Sequence, residues 1–360
     1  MGLPKVSTPI QLAGSAAPPV CRLIALLLCT ATGVPAQITA VAVGPIVIVV
    51  SDLDRAETFY TQVLSFHTAA TREAHEYSFD RLTGVFGTNV RVATLELGSE
   101  SIELIEYRTP RGRPVPPDSK SNDQWFQHIA IVVSDMEAAS ARLFQFHVQP
   151  ISTAPQTLPE WNLNTAGIKA LYFRDSDGHP LELIYFPPGK GDPRWHQGQG
   201  KRDGPFLGID HTAIAVADTE RSLRFYRDVL GLRVVGESLN YGAEQDHLNH
   251  VFGSKVRITS LRSPSGPGIE FLEYLTPRDG RPSPTDTKAN DLWSSQTTLI
   301  AKEFPASVQE LLKQKVEFIS PEPQETLPLG EKGARGVLIR DPDGHSILFQ
   351  SASDYHERQN

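Results

Sequence analysis

The stretch FQHIAIVVSD, residues 126–135, has three related copies elsewhere in this 360-residue chain. The copies are VGPIVIVVSD (43–52), IDHTAIAVAD (209–218) and SSQTTLIAKE (294–303). In each copy an apolar, β-branched run predicts a buried strand, and an acidic residue follows where the cap of a helix is expected. The third position of the four copies holds Pro45, His128, His211 and Gln296 in turn.

A longer repeat surrounds these strands. FYTQVLSF (59–66) recurs as FYRDVLGL (225–232), and RDSDGHPLEL (174–183) recurs as RDPDGHSILF (340–349), so the offset stays near 166 residues. A constant offset of this kind indicates duplication. Within each half, a strand, a helix and several β-rich runs occur twice, which predicts an α+β chain of four βαβββ modules that begin near residues 40, 126, 206 and 292.

The first 36 residues differ in composition from the rest. They are almost uncharged, contain an apolar run from Leu23 to Leu28, and end in Val34-Pro35-Ala36. This pattern predicts a secretory signal peptide (1–36) cleaved after Ala36, and hence a secreted or periplasmic protein. The alternatives are a mis-chosen start codon and a disordered tail.

Cysteine content and charge exclude several classes of function. Both cysteines, Cys21 and Cys29, lie inside the leader, so a mature chain would have no thiolate nucleophile, thiolate metal ligand or disulfide. The formal charge is −8 with no basic stripe, which argues against binding to nucleic acid or to an anionic membrane. We therefore expect a small-molecule substrate for a soluble monomer or homodimer, with no nucleic acid and no membrane partner after leader cleavage.

Residues 188–204 are rich in glycine, proline and charge and predict a linker that has nothing to bury. This linker would separate a first domain at 37–187, holding modules one and two, from a second domain at 205–352, holding modules three and four. Residues 353–360 are expected to form a tail.

The repeated motifs resemble those of the vicinal oxygen chelate superfamily, which includes glyoxalase I, methylmalonyl-CoA epimerase, fosfomycin-resistance proteins and extradiol dioxygenases. The resemblance rests on HIAIVVSD, HTAIAVAD, the FY-x-x-VL helices and the two DGH turns, and it covers residues 38–351. It implies that two modules form each cupped, mostly antiparallel eight-stranded sheet, with helices outside. It also implies one divalent metal ion, held by residues from the first and last strands of the modules.

The resemblance places two ligand positions in each module. In chain order these positions hold Pro45 and Glu103, His128 and Glu182, His211 and Glu270, and Gln296 and Leu348. Proline and leucine cannot bind a metal. If modules pair within each long repeat, both cups are one ligand short. If modules two and three pair across the linker, one cup gathers His128, Glu182, His211 and Glu270, and only the weaker candidates Glu103 and Gln296 remain in the other. We favour this crossed pairing, and the sequential pairing stays open.

Two imidazoles and two carboxylates suit Fe, Mn, Ni, Co or Zn as the divalent ion. Such an ion would act as a Lewis acid and stabilise an enediolate, as in a glyoxalase-like isomerase, epimerase or lyase. The resemblance to glyoxalase I implies that Glu182 or Glu270 is the general base. With Fe²⁺, two histidines and one glutamate also suit an extradiol-type ring-cleaving dioxygenase. A non-catalytic small-molecule binding protein of the same fold is the third hypothesis.

Other polar residues are weaker candidates for the site. His247, His250, Trp125 and Trp293 are possible substrate contacts, although loop or scaffold roles fit them better. His179 and His345 are expected to be turn residues. The arginines of the repeated R-G-R-P loops could hold a carboxylate or phosphate.

Overall fold

The computed structural model describes residues 38–197, 204–329 and 333–352. The predicted signal peptide, the predicted tail at 353–360 and residues 198–203 of the predicted linker lie outside the described residues. None of the helices in the described ranges has the length and apolar character needed to cross a membrane.

The first two modules follow the predicted order of a strand, a helix and further strands. Module one consists of β1 (Ala40–Val50), α1 (Leu53–Gln62), β2 (His67–Ala74), α2 (Tyr77–Thr83), β3 (Asn89–Leu97) and β4 (Glu100–Thr109). Module two consists of β5 (Gln127–Val133), α3 (Met136–Gln145), β6 (Gln156–Thr157), β7 (Lys169–Arg174) and β8 (Pro180–Tyr185). A short 3-10 helix, Pro193–His196, comes next.

Modules three and four repeat this plan. Module three consists of β9 (Phe206–Ala215), α4 (Thr219–Leu223), a π-helical continuation (Arg224–Val229), β10 (Arg233–Tyr241), α5 (Ala243–Asn249), β11 (Lys255–Arg262) and β12 (Gly268–Thr276). Module four consists of β13 (Gln296–Ala301), α6 (Phe304–Lys313), β14 (Glu317–Phe318), β15 (Gln324–Glu325), β16 (Arg335–Arg340) and β17 (Ser346–Ser351).

The predicted acidic caps are present in three of the four copies. The side chains of Asp52, Asp135 and Asp218 accept hydrogen bonds from backbone N–H groups three residues later, which satisfies free donors in the first helical turn. Glu303 makes no side-chain cap bond. The strand-to-helix turn is therefore encoded locally in the first three copies.

The modules pair across the two long repeats. One sheet has the order β14-β16-β17-β13-β1-β4-β3-β2, with β15 also on β16, and joins modules one and four. The other has the order β10-β11-β12-β9-β5-β8-β7-β6 and joins modules two and three. The crossed pairing is thus confirmed, and the sequential alternative is wrong. The first sheet has nine strands rather than the predicted eight, because β14 and β15 both pair with β16.

Each sheet has two faces with different roles. Along β1, Ile46, Ile48 and Val50 join the large apolar core that includes helices α1, α3, α4 and α6. Val47 and Val49 point the other way, into the cup of the nine-stranded sheet, as expected when side chains alternate along a strand. That cup is filled by side chains from α2 and from the loop before β16, including Phe79, Leu82 and Leu329.

The arginine loops hold carboxylates of the same chain. Arg281 Nη2 lies 2.7 Å from Asp123 Oδ2, and Arg113 Nη2 lies 2.6 Å from Asp291 Oδ2. Each contact joins the two modules that share a sheet. The backbone passes very close here, because a Cβ on Gly112 would lie 1.7 Å from the carbonyl oxygen of Asn290. Glycine is therefore required at this position.

The predicted linker is not free of buried residues. Trp195, in the short helix Pro193–His196, is 4% exposed and packs against Ala130, Val132 and Leu207 of the eight-stranded sheet. The prediction that residues 188–204 have nothing to bury is wrong at this position, since a single indole offers a large apolar surface within a polar segment.

Candidate active site

The eight-stranded sheet encloses a cavity of about 920 Å³. Its wall is formed mainly by the inner faces of β7 and β8 from module two and β10 to β12 from module three, with α5 along one side. Glu182, His211 and Glu270 are among the residues that line it.

Strand register brings the four predicted ligands to one face of this sheet. Glu270 pairs with Ala213, and Ala213 pairs with His128, so these residues form one row across β12, β9 and β5. His211 and Glu182 both pair with Ala130, which lies two residues beyond His128 and therefore on the same face. Two adjacent rows thus supply two imidazoles and two carboxylates to the inside of the cup.

The side chains of these residues are in contact. His128 Nε2 lies 3.1 Å from Glu182 Oε2, and His211 Nε2 lies 3.5 Å from the same oxygen. Glu270 Oε2 lies 3.3 Å from His211 Nε2. A ligand atom from each of His128, Glu182 and His211 lies within 4.8 Å of the other two. Three members of this quartet of predicted ligands therefore converge on one point, and Glu270 contacts this group through His211.

The buried carboxylates and imidazoles of this group shift the pKa values of Glu182 and His211. Burial opposes ionisation of Glu182, but hydrogen bonds to His128 and His211 outweigh it and lower the pKa of Glu182 to about 2. Burial also opposes protonation of His211, yet the charge of Glu270 and the hydrogen bond to Asp210 raise the pKa of His211 well above its usual range. The carboxylates therefore attract positive charge to the centre of the site.

Asp210 orients one of the two histidines. Its Oδ2 lies 3.0 Å from His211 Nδ1, its Oδ1 accepts a hydrogen bond from Trp195 Nε1 at 3.0 Å, and Arg262 donates to both oxygens. A carboxylate on Nδ1 leaves Nε2 of His211 directed at Glu182 and Glu270, an arrangement that metal-binding histidines commonly share. The sequence does not indicate this contact, because neighbouring residues of a regular strand point to opposite faces. The register shift between the pairs Ala130–His211 and Ile131–Ile209 leaves Asp210 as an extra residue.

The residues present fit a divalent metal ion. One oxygen of Glu182 faces two imidazole nitrogens, and a second carboxylate faces one of them, so mixed nitrogen and oxygen donors converge without cysteine. This donor set suits the first-row divalent ions named above. His128, Glu182 and His211 would hold the ion, and Glu270 stands next to them.

Glu103 and Gln296 do not join this group. Both are buried in the other cup, where Glu103 Oε1 lies 3.7 Å from Arg72 Nη1. Apolar side chains occupy that cup, and Leu348 is fully buried among them. The weaker ligand candidates therefore lie in a packed interior, apart from the cavity.

The four weaker substrate candidates do not line the cavity in the described structure. His247 and His250 are exposed, and α5 directs Gln245 and Leu248 into the cavity instead. Trp125 and Trp293 lie beneath the guanidinium groups of Arg281 and Arg113, at 4.6 and 4.7 Å from the ring centroids. Both tryptophans thus belong to the contacts that join paired modules.

Three comparisons relate the chain to known proteins. Residues 42–183 and 208–349 match the family described as the Glyoxalase/Bleomycin resistance protein/Dioxygenase superfamily. A 2-epi-5-epi-valiolone epimerase from Actinomyces sp is 33% identical over 167 residues, which are 44% of this chain and 86% of that protein.

Solved structures with low sequence identity share the fold. Glyoxalase I from Zea mays has a TM-score of 0.57 at 15% identity, covering 88% of this chain and 94% of that one. A putative dioxygenase from Bacillus subtilis subsp. subtilis str. 168 has a TM-score of 0.54 at 14% identity, covering 88% and 86%. Since the family match spans most of both repeats, the chain belongs to the Glyoxalase/Bleomycin resistance protein/Dioxygenase superfamily.

Proposed function

We propose that the protein is a divalent-metal-dependent isomerase or epimerase that moves a proton at a carbon beside a carbonyl group, on a small substrate with vicinal oxygens. The observation that carries this proposal is the quartet at the cavity wall, in which Glu270 stands beside the three closest ligand residues. The similarity to an epimerase supports the same class of reaction.

Three residues would hold the ion, and their burial fixes their positions. His128 and Glu182 are almost completely enclosed, and His211 is held from behind by Asp210. A divalent ion bound there would supply Lewis-acid polarisation of two neighbouring substrate oxygens. Hydrogen bonding and charge interaction with His128 and His211 keep Glu182 ionised, so its carboxylate is available as a ligand, and a bound ion would replace these contacts.

Glu270 is the residue that we assign to proton transfer. Its side chain is 21% exposed, against 7% for Glu182, and it lines the cavity. Ser260 Oγ donates to Glu270 Oε1 at 2.5 Å, which fixes the carboxylate while it keeps access to the cavity. A carboxylate in this position can take a proton from the substrate carbon and return it to a neighbouring carbon, whereas inversion at the same carbon requires a proton delivered to the opposite face of the enediolate.

A second candidate is an Fe²⁺ extradiol-type dioxygenase, because the three closest ligand residues are two histidines and one glutamate. The nearby Glu270 favours proton transfer, since ring cleavage by such a triad needs open positions rather than a further carboxylate. The third hypothesis, a binding protein without catalysis, requires the quartet to be inert.

Metal content and solvent exchange test these alternatives. We expect one divalent ion per chain. We also expect the protein to incorporate deuterium from ²H₂O at the carbon next to the carbonyl of a polyhydroxylated ketone, and NMR measures this exchange. Glu270→Gln should keep the ion and lose the exchange. Oxygen uptake on catechols by an Fe²⁺-loaded protein would support the dioxygenase instead, and a protein with neither metal nor exchange would contradict both enzymes.

A further inference from the structure

Gln245 is a buried polar residue on the cavity wall that the proposed proton transfer does not use. It lies in α5, is 3% exposed and lines the cavity. Its side-chain oxygen Oε1 is buried and has no hydrogen-bond partner among the described residues. Leu248, one turn later on the same helix face, packs in the apolar cluster that contains Tyr172 and Tyr274. Gln245 thus lines the same cavity as Glu182, His211 and Glu270.

The duplicated half of the chain shows what the fold itself needs at this position. Helix α2 is the counterpart of α5, and Phe79 is the counterpart of Gln245 at an offset of 166 residues. The alignment is supported by the next residue, because Asp80 accepts from the N–H groups of residues 87 and 88, and Asp246 accepts from those of 253 and 254.

Phe79 is fully buried and fills its cup. A large apolar side chain thus satisfies the helix, the following turn and the sheet in one half of the molecule. The amide of Gln245 is not required by the fold. A buried acceptor without a partner destabilises a protein, so the acceptor of Gln245 needs a donor from water or from a ligand in the cavity.

We propose that Gln245 is a specificity-determining residue that accepts a hydrogen bond from a substrate hydroxyl beyond the vicinal oxygens. This inference rests on the proposed function, since the vicinal oxygens face the quartet. The substrate would then be a polyhydroxylated ketone. Ketones whose remaining carbons carry no hydroxyl would bind less well, because a site that accepts a hydrogen bond from a hydroxyl discriminates against analogues without that hydroxyl.

Two cyclic ketones with the same vicinal oxygens test this. The probe scyllo-inosose carries further hydroxyls, and 2-hydroxycyclohexanone carries none. Their dissociation constants are measured by calorimetry on Co²⁺-loaded protein. We expect the wild type to bind the inosose more tightly. Gln245→Met keeps the side-chain volume but removes the acceptor, and it should reduce the ratio of the two dissociation constants roughly tenfold. Its Co²⁺ content should be unchanged, and its thermal midpoint equal or higher.

Phe79→Leu is the matched control at the equivalent position in the filled cup. It should lower the thermal midpoint and leave the probe preference unaltered. A wild type without preference for the inosose, or a Gln245→Met variant that keeps that preference, contradicts the role of Gln245. So does a Gln245→Met variant that is destabilised and binds both probes equally less well. A wild type that binds no Co²⁺ contradicts the metal-dependent reaction instead.

Discussion

Replacing Asp210 by asparagine removes one negative charge beside the metal centre and keeps nearly the same shape. Asp210 is buried and bonds to His211, Trp195 and Arg262. Burial alone would raise the pKa of Asp210. The hydrogen bond from His211 and the charge of Arg262 outweigh burial and hold this pKa well below its usual range. The substitution therefore removes a group that is ionised at neutral pH.

The expected effect is a weaker metal site. Loss of a partner that orients a metal-binding histidine commonly costs 10- to 100-fold in metal affinity, which is roughly 1.4 to 2.8 kcal/mol. We expect the upper part of this range for Asp210→Asn, because the bond from His211 Nδ1 is charge-assisted and shielded from water. His128 has no such support, since its Nδ1 is buried without a partner among the described residues. Asp210 is thus the main orienting group for the quartet.

Competition against a chromophoric chelator measures the affinity for Co²⁺ or Zn²⁺. The control is Asp291→Asn, because Asp291 is also buried, is bonded to an arginine and lies in the loop before β13 of the other sheet. This control should lose stability in urea and keep its metal affinity. An orienting role of Asp210 is refuted if Asp210→Asn binds metal within twofold of wild type, or if both variants lose affinity to the same degree.

Two further predictions concern the metal count and the pH dependence of stability. His128→Ala and His211→Ala should each reduce the metal content from one ion per chain to none, while Gln296→Ala should leave it at one by elemental analysis; two ions in the wild type would contradict this. Burial alone would lower the pKa of His179, but the carboxylate of Asp175 raises this pKa to about 9. The stabilisation of the folded state by protonated His179 is therefore complete below the unfolded pKa near 6.5, and it is lost as the pH rises through 9. We expect the difference in the free energy of unfolding between wild type and His179→Asn to shrink by about 3 kcal/mol over that range, and a constant difference would contradict the pairing.

Local patterns in the sequence were sufficient for the first strand of each module, for three of the four caps and for the residues that the strand register brings together in the cavity. The first-strand copies became β1, β5, β9 and β13, and the acidic residue after three of them caps a helix. The crossed pairing could be inferred because Pro45 and Leu348 cannot bind a metal, so only one pairing gathers four ligands. Each of these inferences used the identity of single residues at positions related by the repeat.

The remaining features depend on contacts between distant segments. Nothing in residues 188–204 alone indicates that Trp195 reaches Asp210. The direction of α5 decides that Gln245 faces the cavity and that His247 faces solvent. Helical spacing alone could not decide this, because the short helix carries few apolar residues to mark its buried side.

The filled cup and the open cup have complementary roles in stability. The open cup contains a large cavity and buried carboxylates, both of which lower the stability of a domain. The other cup is filled by a continuous apolar core that includes Phe79 and Leu348. Because the large apolar core joins residues of both sheets, the packing in one half helps to hold the strands that carry ligands in the other. The apolar filling of one cup therefore supports the cavity and the buried carboxylates of the other.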